Sequence, residues 1–138
     1  MSTPVKKEKY TESIGRRKTA IARVRLMHGK ESQHSMATIN DRSLATYFRI
    51  KKQGEVAIAP LTLLSLKEYH VSAHVEGGGL TAQSEAIRLG IARALLLINP
   101  IWRSKLKSFG FLKRDPRMVE RKKPGSRKAR RPQQWRKR

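Results

Sequence analysis

The chain has no cysteine, which excludes disulfide scaffolding and thiolate zinc sites and fits a reducing compartment. No run of about 18 apolar residues occurs, so no segment reads as a membrane-spanning helix. The start, MSTPVKKEKYTES, lacks the apolar stretch of a secretory signal, and the expected location is cytoplasmic. Acidic residues are scarce, 10 against 32 Lys and Arg, and the net charge is +22. Such a balance speaks to partners rather than to fold, and a polyanion is the natural one. Nucleic acid is preferred over an anionic membrane, because no basic amphipathic helix rich in Trp and Leu is present.

Catalytic signatures are also missing. There is no G-x-S-x-G, no other nucleophile motif and no pair of carboxylates placed for acid–base work. Of the histidines His28, His34, His70 and His74, the last two share a strand face but lie about 13 Å apart, too far to hold one metal. No catalytic residue, metal or cofactor is therefore expected.

What is present is concentrated basic charge. Lys113 to Arg138 holds thirteen Lys or Arg and two acids, a net +11 and half of the whole charge. Met118, Val119, Ala129 and Trp135 are its only apolar residues, too few to offset the entropy of ordering it, so it should order only on a polyanion. Its arginines fork bidentately onto phosphate, which favours nucleic acid over a diffuse ion cloud. Pro124, Gly125 and Pro132 disfavour a helix, so an extended tail is expected, suited to threading into folded RNA. Lys113, Arg114, Arg117, Arg121, Lys122, Lys123, Arg127, Lys128, Arg130 and Arg131 are its candidate RNA contacts. Trp135 is a candidate stacking residue, or lies free.

The rest divides into a polar arm over 1–13 and a globular domain over 14–112. Ala22, Val24 and Leu26 alternate with Ile21, Arg23 and Arg25, the period of a half-buried strand. Met36–Ile39 is a second short strand, expected to pair with the first through a long loop, and Asn40-Asp41 is a turn. Ser43 caps a short helix through Phe48. Gly54 and Pro60 split the stretch 49–66 into two short helical pieces. Tyr69, Val71, Ala73 and Val75 mark a strand, ended by Gly77-Gly78-Gly79. Thr81–Ile98 is the strongest helix, with Ile87, Ile91, Ala94 or Leu95, and Ile98 in its stripe. Asn99-Pro100 starts another helix, with Trp102, Leu106 and Phe109 on one face and Gly110 closing it. The result is an α+β fold, a small mixed sheet with helices packed on one face. A further strand is not placed by the pattern.

Within the domain, Arg16, Arg17, Lys18, Arg23 and Arg25 form a basic cluster. Arg23 and Arg25, about 6.6–6.8 Å apart on one strand face, match neighbouring phosphates; a solvated strand face is the plain alternative. Gly77, Gly78 and Gly79 before a helix suit either a tight turn or a close approach of phosphate. They lack the residues of a nucleotide-binding loop. Arg88 and Arg93 are surface groups of the long helix, and Arg88 is taken as a candidate RNA contact.

Four blocks, in order, resemble the bacterial-type small-subunit ribosomal protein nine family: GRRKTAIARVRL at 15–26, INDRSLATYF at 39–48, VEGGGLTAQSEAIRLGIARALL at 75–96 and the tail from 111 onward. The resemblance implies a fold like the second domain of small-subunit ribosomal protein five, with a long basic tail. It implies a structural role in the small subunit: binding of its RNA in the head, neighbouring small-subunit proteins as partners, and a monomer within the ribosome. It also implies that the terminus reaches peptidyl-site tRNA, where Lys137 and Arg138 match the family's ending and Arg136 adds charge. The chain departs from the family pattern at Asp41, where glycine is common, and at Pro124, Lys128, Pro132-Gln133 and Trp135-Arg136. Two rival readings are a nucleic-acid packaging protein outside the ribosome and a small ATP-using kinase-like enzyme of the same fold type.

Overall fold

The computed structural model describes residues 10–28 and 36–137. Five strands form one sheet: β1 (Tyr10–Arg17), β2 (Ala20–His28), β3 (Ala37–Ile39), β4 (Arg42–Ser43) and β5 (Tyr69–Glu76), in the order β1-β2-β5-β3-β4. All neighbours run antiparallel except β3 and β5, which are parallel. The helices are α1 (Leu44–Tyr47), α2 (Lys51–Leu63), α3 (Leu80–Ile98) and α4 (Arg103–Ser108), the last entered through a 3-10 turn at Pro100–Trp102. The architecture is α+β with a mixed sheet, as expected.

The alternation read in the sequence sets which sheet face is covered. Ala20, Ala22, Val24 and Leu26 of β2 and Val71, Ala73 and Val75 of β5 are buried. They pack with Ile87, Ile91 and Leu95 of α3 and with Ala57 and Leu61 of α2 in one core. Odd positions of β2 and even positions of β5 face the other way, so helices cover one face only.

Five expectations change. Tyr10–Ser13, assigned to the polar arm, belong to β1. Strands β2 and β3 do not pair with each other, because β5 lies between them. The stretch 51–63 is one helix rather than two pieces. Pro60 sits inside it and is buried with Gly54 and Leu61, and that packing outweighs the hydrogen bond proline cannot make. Phe109 points to solvent, whereas Leu106 is buried and Trp102 partly so. The tail has no helix, yet it is not extended throughout: residues 126–132 close into a loop by a bridge between Ser126 and Pro132.

Local signals hold at the caps. Ser43 accepts from the Thr46 N–H at the start of α1. Asn99 accepts from Ile101 N–H before the 3-10 turn, and Gly110 ends α4 with φ of 71°. At the β3–β4 turn both Asn40 (φ 45°) and Asp41 (φ 62°) are left-handed, the requirement of a primed hairpin turn. Asp41 thus holds the conformation that glycine adopts without strain.

Candidate nucleic-acid interface

The uncovered sheet face carries the first basic group. Arg16 on β1 and Arg23 on β2 are exposed, and neither makes an ion pair among the described residues. In register, Arg23 stands between Ile14 and His74, and Arg25 between Glu12 and Ser72. Arg25 donates from Nε to Glu12 at 2.7 Å and lies over the Tyr10 ring at 4.8 Å. The Glu12 hydrogen bond raises the Arg25 pKa above its ordinary value against a smaller opposing effect of burial. Two arginines of the platform are therefore free to meet phosphate, and the third is already oriented by a carboxylate.

Arg17 is a correction to the predicted cluster. One residue on from Arg16, its side chain passes to the helix side of the sheet and is only 11% exposed. Its Nε donates to Glu85 at 2.5 Å and Nη1 to the Arg117 carbonyl at 2.7 Å, and Nη2 meets Asp115 at 3.1 Å. Those partners occupy the guanidinium that a phosphate would need. Lys18, beside it, is exposed at the tip of the β1–β2 hairpin with φ of 50°.

The glycine triplet separates into two roles. Gly77 and Gly78 have φ of 72° and 63°, and added Cβ atoms would lie 2.5 Å from the Thr19 carbonyl oxygen and 3.0 Å from the Ala20 Cβ. Both are demanded by the close pass over the β1–β2 hairpin. Gly79 is different: it precedes α3 with no side-chain cap, and a Cβ there would meet nothing within 4 Å. The turn accounts for the first two, and Gly79 leaves the helix start open to an approaching group.

Arg88 lies half-buried over the Phe111 ring at 5.3 Å, so it steadies the start of the tail. Arg93 donates to the Ile14 carbonyl at 2.9 Å.

Along the tail, Lys113 and Arg114 are exposed, while Arg117 turns back onto Asp115, at 2.7 Å from Nη2 to Oδ2. The Arg117 hydrogen bonds hold the Asp115 carboxyl well below the usual carboxylate range and raise the Arg117 pKa in return. Arg121 and Lys122 are exposed. Glu120 takes Lys123 at 3.1 Å and Arg130 at 2.9 Å. The loop is closed further by the N–H groups of Arg127 and Lys128, which both reach the Arg131 carbonyl. Arg127, Lys128, Arg130 and Arg131 are thus gathered on one small turn rather than strung along a line. Trp135 is 93% exposed. Arg136 and Lys137 are exposed, and Arg138 lies outside the described residues.

No group of three or more His, Asp or Glu able to hold a metal occurs among the described residues. His28 pairs with Glu68 at 3.2 Å and His70 with Thr38 at 3.4 Å, while His34 lies outside the described residues. Sequence reading missed the acidic members of the interface: Glu12, Glu85, Asp115 and Glu120 each hold an arginine in place. Of these pairs with arginine, only Asp115–Arg117 joins near neighbours in sequence.

A sequence model of the family described as Ribosomal protein S9/S16 matches residues 15–138. The chain is 47% identical over 127 residues to the small ribosomal subunit protein uS9 of Cytophaga hutchinsonii, covering 91% of this chain and 96% of that protein. It is 44% identical over 136 residues to the protein of the same name in Mycobacterium sp. strain KMS, covering 98% and 84%. The Mycobacterium tuberculosis H37Ra protein is 46% identical over 132 residues, covering 95% and 85%.

Proposed function

The chain belongs to the family described as Ribosomal protein S9/S16, and on that premise we propose how its basic surfaces share the work in the small ribosomal subunit. The protein is a structural constituent of the cytoplasmic small ribosomal subunit, binds its RNA and neighbouring proteins, and is not an enzyme. That membership displaces both the packaging and the kinase-like readings.

The domain seats on RNA of the subunit head through Arg16, Lys18, Arg23 and Arg25. These groups contact phosphates, which fix position without reading sequence. Gly79 and the open start of α3 offer backbone N–H groups to a phosphate brought close by the absent side chain. From Lys113 onward the tail neutralises crowded phosphates. Its closed loop over 126–132 presents a compact group of cations to converging backbone, and Trp135 stacks on an unpaired base. Arg136, Lys137 and Arg138 reach peptidyl-site tRNA and steady it by charge and hydrogen bonds.

The observation that carries this reading is the separation of charge. One basic surface is built on the rigid sheet, and another lies on a tail that makes no hydrogen bond or ion pair with the domain beyond Arg117 among the described residues. The test is a small subunit assembled with a chain lacking Arg136–Arg138. Sedimentation should show normal assembly, and tRNA should leave the peptidyl site several-fold faster. Unchanged tRNA retention would refute the role given to the terminus.

A further inference from the structure

Arg17 is an unusual place for a cation to end up. It lies in a run of three basic residues at a hairpin, yet it alone turns inward. A buried guanidinium is costly unless its donors are met. Here they are met from two directions: Glu85 belongs to α3, while Asp115 and the Arg117 carbonyl belong to the tail. Strand, helix and tail are joined at one side chain.

The tail segment is itself shaped to fit. Asp115 accepts from the Arg117 backbone N–H at 3.0 Å and from its side-chain Nε and Nη2. Pro116 between them has no N–H to satisfy and a fixed φ. Just before, Phe111 and Leu112 pack against the core and Arg88 covers Phe111. Just after, every described side-chain hydrogen bond of the tail is internal to it.

We propose that Arg17 is a positioning residue that clamps the root of the tail to the domain before any RNA is bound. The chain leaves the domain in a set direction, and its freedom begins at Met118 rather than at Lys113. RNA then has fewer residues to order, and the basic loop is held at a fixed reach from the sheet platform. The clamp itself does not depend on what the tail binds; its benefit to RNA affinity rests on the function proposed above.

The experiment is amide relaxation on the full free chain, with Arg17→Gln, Arg17→Lys and Asp115→Asn beside the wild type. In the wild type, residues 113–117 should show order parameters near the about 0.85 of rigid backbone, with decline from Met118. In Arg17→Gln the decline should begin at Lys113 while β2 and β5 amides keep their shifts. Lysine should not restore order, because one ammonium cannot fork onto two carboxylates and a carbonyl. Asp115→Asn leaves the domain sequence intact and Arg17 still paired with Glu85, so it tests the release even if the Arg17 variants fold poorly. A wild-type tail already mobile at Lys113, or an Asp115→Asn tail as ordered as wild type, would overturn the clamp. Asp115→Asn also removes a negative charge, so charge counting alone makes it bind RNA more tightly. The clamp predicts binding of small-subunit RNA about tenfold weaker; equal or tighter binding by a released tail would overturn the functional half of the proposal.

Discussion

Gly15 of β1 and Gly90 of α3 face each other with no side chain between them. A Cβ on Gly15 would fall on the Ala86 carbonyl and lie 2.5 Å from the Gly90 nitrogen, and one on Gly90 would lie 2.6 Å from Val24 Cγ2. The helix can therefore settle directly on the strand, and Ser13 Oγ donates to the Gly90 carbonyl at 2.5 Å. Gly15→Ala meets backbone, which cannot move aside, and should cost about 3 kcal/mol or more in urea denaturation. Gly90→Ala meets a side chain and gains helix propensity of about 1 kcal/mol, so it should cost less. Adding Val24→Ala should cost the Gly90 variant less than it costs the wild type. Equal losses at the two glycines would contradict this geometry.

The Asn40-Asp41 turn gives opposite predictions for its two residues. Asn40 donates from its side chain to the Val75 carbonyl at 2.9 Å and accepts from the Val75 N–H at 2.8 Å, extending the β3–β5 ladder. Asn40→Ala should cost about 1–3 kcal/mol, since it strands both groups. Asp41 holds a left-handed φ without such a reward, so Asp41→Gly should raise the unfolding midpoint by about 1 kcal/mol equivalent. A destabilised Asp41→Gly protein would refute the view that this position is merely strained.

On the open sheet face the expected signature is salt dependence. Binding of small-subunit RNA should weaken steeply as salt rises, and Arg16→Gln or Arg23→Gln should each reduce the log–log slope by about 1. Filter binding across a salt series checks this. An unchanged slope in both variants would remove the sheet platform from the RNA interface.

The Asp115 carboxyl predicts a response to acid. Its pKa is lowered first by the Arg117 side-chain hydrogen bond, then by the Arg117 N–H, with a further contribution from Arg17. A depressed carboxylate contributes above its unfolded value of about 3.9, and the contribution is lost as pH falls through the folded value. The tail root should therefore stay anchored at pH 4 and loosen only in stronger acid. Carboxyl carbon shifts of Asp115 across pH report it directly, and a midpoint near 3.9 would contradict the arrangement.

Strands β2 and β5 and helix α3 were legible because their buried positions, Ser84 apart, carry no polar side chain and recur at the right period. Strand β1 was not, for a physical reason. Its inward positions are Thr11, Ser13, Gly15 and Arg17, none of them an apolar side chain. The place of a core residue is taken by the α3 backbone at Gly15 and by the ion cluster at Arg17. Helix α2 hid behind Gly54 and Pro60, whose cost is local and whose burial is tertiary. The basic surfaces could be read from composition. Which arginines are spent internally could not, because Arg17 meets partners 68 and 100 residues away. Asp41 holds a left-handed φ of 62°, the conformation that glycine adopts without strain.

The most direct test of the whole account is sedimentation of the tagged full-length chain with ribosomal particles through a high-salt gradient, where loosely held basic proteins are stripped. The account predicts one copy retained per small subunit. Recovery in the free fraction would mean that the +22 charge serves only non-specific association with RNA.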